Sequence, residues 1–205
     1  RIQAREANYD PKKGAPVLTG SGTYPSRGWT DWTHGFEFGA GILQFEATAD
    51  QKALTQSIQN TVDKMAPHVS HTGVHDHGFN NLSTYGNLLR LMHEGKIEDN
   101  EWEREFYRLA VKISGAVQAS RWTSLPKGGF IHSFNGPHSL FVDTIRSCRI
   151  LVASHMLGHR YHAEGDKKIS LLERALQHML ATAKYAVYYG EGRDIYDEWG
   201  RTAHE

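Results

Sequence analysis

Three stretches of this chain are apolar on more than one helical face, three are apolar on one face only, and the two kinds alternate. In the first kind, Phe36, Gly39, Ala40, Leu43 and Ala47 share a helix with Phe38, Ile42 and Phe45 on another side. Leu82, Tyr85, Leu89 and Met92 share theirs with Leu88 and Leu91, and Gly95 ends it. Phe141, Ile145, Cys148, Val152 and Met156 share theirs with Leu140, Ile150, Leu151 and Leu157; Pro137 precedes this helix and Gly158 stops it. Such helices have little solvated side and must be covered on both. The second kind carries a plain stripe. One is Leu54, Ile58, Val62 and Met65, between Asp50 and Pro67. Another is Trp102, Phe106, Leu109, Ile113 and Val117, opened by Asn100 with Glu103. The third is Leu172, Ala175, Met179, Ala183 and Ala186, opened by Ser170 with Glu173 and closed by Gly190. These three predict helices with one wet face each.

Alternation of buried and half-exposed helices is what results when helical hairpins close into two concentric rings, an inner one wrapped by an outer one. A weak repeat supports hairpin units: Trp32-Thr33-His34-Gly35-Phe36 and His75-Asp76-His77-Gly78-Phe79 each precede an inner-type helix, and Gly129-Phe130 precedes the third less tightly. No apolar–polar alternation is long enough for a sheet, so the expected class is all-α. Three hairpins make only an open arc, whose edge helices expose apolar surface, so the chain reads as part of a larger ring. The segment Asp194 to Glu205 ends before a seventh helix, and an artificial or proteolytic end is expected there. Residues 1–30, with Pro11, Pro16 and Pro25, read as an irregular arm, and 31–205 as the helical part.

Composition narrows the partners. Lys plus Arg equals Asp plus Glu at 23 each, with no block of like charge, so the basic footprint of a nucleic-acid or anionic-membrane surface is missing. The lone Cys148 excludes a disulfide framework and leaves the redox compartment open. The chain begins at Arg1 without a signal-like segment, which leaves export undecided, with a periplasmic or secreted location slightly favoured. Thirteen His is the one unusual count, and it suits a polar cleft, a metal site or a loop-rich surface alike.

Polar residues that are costly to bury gather before the inner-type helices: Trp32 and His34; His75, Asp76 and His77; His132, Asn135, His138 and Asp143. In a closed ring those ends meet at one mouth. Asp143 lies among Leu140, Phe141, Val142 and Ile145, where desolvation would raise its pKa toward use as an acid; Ser147 or Arg146, one turn on, would instead hold it as a structural group. Asp76, between two histidines, is either an oriented carboxylate or a charge favouring a helix N-terminus. His71, His75 and His77 form an alternative, metal-binding set, with weak spacing and no second cluster to complete a shell. Trp32, Trp122, Trp199 and Phe134 read as loop aromatics, suited to stacking on a sugar or to covering the core. Neither a serine nucleophile elbow nor a phosphate-cradling glycine loop is present.

Four segments together resemble a known family. Asp31-Trp32-Thr33-His34-Gly35-Phe36, His75-Asp76-His77-Gly78-Phe79, Ile131-His132-Ser133-Phe134-Asn135 and Val142-Asp143-Thr144 are similar, in order and approximate spacing, to the N-terminal half of unsaturated glucuronyl hydrolases, glycoside hydrolase family 88. Thr202-Ala203-His204 resembles that family's substrate-contacting His segment. The related unsaturated rhamnogalacturonyl hydrolases, family 105, fit the His-Asp-x-Gly-Phe element less well. The resemblance implies an (α/α)6 barrel about twice this length, of which this chain supplies three hairpins, and activity only with the C-terminal half present.

By the same resemblance, Asp143 is the general acid and base, Asp76 its carboxylate partner, and Trp32, His75, Phe134 and His204 contact the substrate. This chain departs from the family in reading Thr-Ile-Arg-Ser-Cys after Asp143, where an Asn-containing segment is usual, and in carrying Phe134 where Trp is common. The implied substrate is an oligosaccharide left by a polysaccharide lyase, ending in a 4,5-unsaturated uronic acid. Its C4=C5 enol ether is attacked by a proton, and no metal or organic cofactor is required. A metal-dependent hydrolase, a non-catalytic sugar-binding module and an ordinary inverting glycosidase are the competing readings.

Overall fold

The computed structural model describes residues 32–190 and 199–203; the arm expected over 1–30 and the expected substrate contact His204 lie outside the described residues. The chain divides into two compact units, Arg1–Ser70 with Asn80–Val111, and His71–Phe79 with Lys112–Glu205. Its helices are α1 (His34–Thr48), α2 (Gln51–Val69), α3 (His77–Asn81), α4 (Asn87–His93), α5 (Glu101–Ser120), α6 (Arg149–Met156) and α7 (Leu171–Ala186). A π-helical turn, Leu82–Gly86, joins α3 to α4, and a 3₁₀ helix, Val142–Cys148, leads into α6. Among the described residues no helix is long and apolar enough to cross a membrane.

In the first unit α1 and α2 pack as a hairpin whose corner is built locally. Ala49 takes φ 58°, and Asp50 caps α2 by accepting from the N–H groups of Lys52 and Ala53 at 3.0 and 3.2 Å. The small residues of α1 have a use: a Cβ on Gly35 would lie 2.4 Å from Asn80 Cα, and one on Gly39 would lie 2.6 Å from the Ser83 carbonyl oxygen. Only glycine lets the two backbones come this close, and Gly35 N–H uses the approach to donate to Asn80 Oδ1 at 3.1 Å. His34 Nδ1 and His68 Nε2, 2.9 Å apart, tie the start of α1 to the end of α2. Phe36 and Leu43 stay exposed on α1, so this helix keeps an open side where cover on both was expected.

In the second unit the core is Ile131, Cys148, Ile150, Leu151, Leu171 and Ala175, all buried. Burial pushes the Cys148 thiol up to about 12, so the lone cysteine is an apolar filler. The third inner-type helix does not start at Phe141 as a regular helix; it runs as 3₁₀ to Cys148 and becomes α-helical only at Arg149. Among the described residues two antiparallel hairpins of three-residue strands also occur, β1 (Trp122–Ser124) with β2 (Gly129–Ile131), and β3 (Tyr161–Ala163) with β4 (Lys167–Ile169). Three residues are too few to leave a periodic signal in a sequence. Asn100 and Ser170 cap α5 and α7 as expected, accepting from Glu103 N–H at 3.1 Å and Glu173 N–H at 3.2 Å.

The faces turned inward differ from the apolar stripes in all three outer-type helices. On α2 the buried row is Ala53, Leu54, Ser57, Thr61, Met65 and His68, leaving Val62 exposed, and the helix runs past Pro67 to Val69. On α5 the expected stripe faces outward, with Trp102 at 87% exposure, while Tyr107, Ala110, Val111, Ser114, Gln118 and Ala119 are buried. On α7 the row is Leu171, Ala175, His178, Thr182 and Ala186, and the helix stops at Ala186 rather than at Gly190, because Val187 turns to bridge Thr202. Each inward row contains small or polar residues, which allow close approach, and His68, Gln118 and His178 find hydrogen-bond partners inside. Periodicity of apolar residues alone does not register them.

Candidate active site

The loop into α3 and the 3₁₀ helix of the second unit bring two distant acids together. His75 Nε2 lies 3.1 Å from Asp143 Oδ1 and 3.6 Å from Asp76 Oδ1. On the other side Arg146 Nη2 donates to Asp143 Oδ2 at 2.8 Å and to Asp76 Oδ1 at 3.3 Å. A 3₁₀ helix eclipses side chains three apart, which is why Asp143 and Arg146 point the same way. The guanidinium also lies 4.3 Å from the centre of the Phe79 ring. The structural role weighed for Asp143, an ion pair with Arg146, is therefore present together with the acid pair.

The two carboxyls differ in depth. Asp76 is 7% exposed, and burial lifts its carboxyl above the ordinary range; the Asp143 charge adds to that, while His75 and Arg146 pull it down. Asp143 is half-buried, and Phe134, 56% exposed, stacks on its partner His75 at 5.7 Å between centroids and 19° between planes. Phe134 is thus an open aromatic face next to the acids. Its loop is closed by Ser133, which shares a 2.5 Å hydroxyl contact with Ser139 and accepts from Asn135 N–H at 3.1 Å.

Three buried residues that sequence reasoning passed over hold this arrangement. Arg121 donates to the carbonyls of Thr72, His132 and Ser133, so one guanidinium joins the loop before His75 to the loop carrying Phe134. Gln118 donates to the His75 carbonyl at 3.0 Å. His178 Nδ1 accepts from Ile131 N–H at 3.1 Å and fixes β2, from which the Phe134 loop leaves. No local motif marks an arginine or glutamine whose partners are main-chain carbonyls elsewhere, so composition and spacing carry no signal for them.

Burial, with a smaller contribution from His75, lowers His178 to about 4. A histidine that resists protonation when folded binds fewer protons than the unfolded chain between about 6.5 and 4. Its contribution is whole above pH 6.5 and is lost as pH falls toward 4. Replacing His178 by Gln is expected to flatten the fall of thermal midpoint across that interval, a slope on the order of 3 kcal/mol in all. An unchanged slope would remove His178 as its source.

The other sequence candidates have partners of their own. Trp32, 37% exposed, lies in the first unit with its ring edge-on to Phe36 at 6.1 Å. The alternative metal set does not assemble: His71 Nδ1 and His77 Nε2 contact each other at 2.5 Å, while His75 turns to Asp143. The donor atoms of His75, Asp76 and Asp143 do lie within 4.8 Å of one another, and Arg146 already brings a positive charge to that cluster. Trp122 sits in β1 under the Arg174 guanidinium, 4.6 Å from its ring centre, as a cover of the core. Trp199, His138 and Asn135 are exposed, and His132 contacts Thr123 Oγ1 at 3.3 Å.

Two solved structures are similar in fold. An unsaturated glucuronyl hydrolase specific for heparin matches with a TM-score of 0.70 over 91% of this chain and 46% of its own, at 18% identity. The unsaturated glucuronyl hydrolase of Bacillus sp. GL1 responsible for degradation of glycosaminoglycan matches with a TM-score of 0.63 over 99% of this chain and 52% of its own, at 20% identity. The chain spans about half the length of these proteins. No family model matches the sequence, and no curated protein matches it. The likeness agrees with the resemblance carried by the His75–Phe79 and Val142–Thr144 segments, and it bears out a helical-hairpin fold.

Proposed function

We propose that this chain carries the acid–base part of a glycoside hydrolase that removes a 4,5-unsaturated uronic acid from the non-reducing end of lyase-generated oligosaccharides. The observation that carries the reading is the meeting of Asp76 and Asp143, 67 positions apart in the sequence, around His75 and beside the exposed ring of Phe134. The likeness in fold to two unsaturated glucuronyl hydrolases supports it.

In this reading Asp143, the acid nearer the open side, donates a proton to C4. Cationic character develops at C5 and is shared by the ring oxygen. Water adds at C5 and passes its proton to the Asp143 carboxylate, which restores the acid. The hemiketal formed opens to a ketone at C5, and the hemiacetal left at C1 releases the remaining sugar as an alcohol. One water is consumed and no net proton. Asp76 is the partner carboxylate whose charge keeps one proton on the pair, and the two titrate together. Phe134 supplies an apolar face for the ring, and His75 orients both acids. Trp32 and His204 are further substrate contacts, and the C-terminal half of such a barrel completes the wall.

The test is a comparison of an unsaturated uronate disaccharide with its saturated counterpart, measured on the full-length chain. Loss of the conjugated absorbance of the first, no cleavage of the second, and indifference to a chelator are the expected results. Cleavage of the saturated disaccharide would point to an ordinary glycosidase, chelator sensitivity to a metal-dependent one, and binding without loss of absorbance to a sugar-binding module.

A further inference from the structure

We propose that Arg146 is a positioning residue of the acid pair: its guanidinium keeps Asp143 ionised in the free protein and leaves the pair's proton on Asp76. Asp143 then becomes an acid only when the carboxylate of an arriving uronate draws that guanidinium away. The inference rests on the acid–base reading above and adds to it an order of events.

The geometry divides the two acids unequally. Each oxygen of Asp143 has its own charge-stabilising partner, Arg146 Nη2 at 2.8 Å on Oδ2 and His75 Nε2 at 3.1 Å on Oδ1. Asp76 is the deeper, with a side chain 10% exposed against 27% for Asp143, and its contacts with the same two groups are longer, 3.3 and 3.6 Å. Burial penalises a charge on Asp76, and short ion pairing favours one on Asp143. The groups facing the pair are His75 and Asp76 on the loop into α3, Asp143 and Arg146 on the 3₁₀ helix, Arg121 beyond α5, and His178 on α7 acting on His75. Arg121 is engaged by three main-chain carbonyls. Arg146, with a side chain 39% exposed, is the cation of this set that a ligand can reach. An incoming carboxylate is repelled by the ionised Asp143 and matches the planar fork of a guanidinium. Once the guanidinium turns to it, Asp143 has lost its short ion pair and lies beside the uronate carboxylate, and that like charge draws the pair's proton from Asp76 to Asp143, leaving Asp76 as the carboxylate.

The deciding measurement is a ¹³C-carboxyl NMR titration of this chain and of Arg146→Gln. In the wild type Asp143 is expected to titrate below Asp76. In Arg146→Gln the Asp143 midpoint is expected to rise by about 1–3 pH units. An Asp143 midpoint above that of Asp76 in the wild type, or one that does not move in the variant, overturns the proposal. Should Arg146→Gln not fold, the wild-type order still decides, and Arg146→Lys, which keeps the charge, is expected to keep it. A second readout is the pH profile of the full-length chain on the unsaturated disaccharide. Because kcat/KM reports the free enzyme and kcat the complex, the limb belonging to Asp143 is expected at higher pH in kcat for the wild type, and the two limbs are expected to converge in Arg146→Gln. Coincident limbs in the wild type overturn the release step. Absence of any turnover in the wild type would strike the hydrolase reading, while the carboxyl titration still decides the role of Arg146.

Discussion

Replacing Asp143 by Asn is expected to lower turnover of an unsaturated uronate disaccharide by about 10²–10⁴-fold in the full-length chain, the range that a positioned acid and base contributes. The amide keeps the shape of the side chain but neither donates an acidic proton to C4 nor takes one from water. Its fold should survive, because Asp143 is half-buried on a short helix and its partners His75 and Arg146 have Asp76 as a second anchor. Equal far-ultraviolet circular dichroism and a thermal midpoint within a few degrees, alongside the lost turnover, would separate chemistry from folding. Normal turnover would remove Asp143 from the mechanism. Asp76→Asn is a companion with a different signature: it preserves a hydrogen-bonding group against Arg146 but deprives the pair of its second charge, so the pH profile should move as well as the rate.

Gly78→Ala is expected to destabilise by about 1–3 kcal/mol, the usual cost of overfilling a packed site. A Cβ at Gly78 would lie 2.6 Å from the Ser147 carbonyl oxygen, 2.8 Å from Ile150 Cγ2 and 3.1 Å from Gln118 Oε1. The first of these is backbone, so the 3₁₀ helix bearing Asp143 and Arg146 must shift, and Gln118 must also give, although it holds the His75 carbonyl. Activity should therefore fall together with the denaturation midpoint. A variant that keeps the wild-type midpoint would show that the 3₁₀ helix moves freely. The glycine in the His-Asp-His-Gly-Phe segment is there for packing: it lets the acid-bearing loop lie against the helix that supplies the other acid.

The parts of the fold visible in the sequence were those governed by bulk and spacing. Two-sided apolar rows such as Leu88, Leu91 and Met92 mark a helix covered all round, and Asn100 and Ser170 mark helix starts, because capping is a local interaction within one turn. The orientation of the outer-type helices was not visible. The buried face of α5 carries Tyr107 and Val111 with the smaller or polar Ala110, Ser114 and Gln118, and Gln118 finds its partner far back along the chain at the His75 carbonyl, so the stripe from Trp102 to Ile113 misleads. The same holds at the site. Asp76 and Asp143 could be picked out by motif, and the distances then joined them through His75. The ion pairing of Arg146 with both acids depends on the 3₁₀ geometry of Val142–Cys148, which periodicity does not distinguish from a regular helix.

Arg121 gives the site a mechanical property. Its guanidinium grips carbonyls on two separate loops, one leading to the acid and imidazole and the other to the stacked ring of Phe134. The loops are hinged to one post. A displacement of the loop carrying Phe134 is therefore passed through one guanidinium to the loop that leads to His75, so the two loops hold their spacing as a single unit.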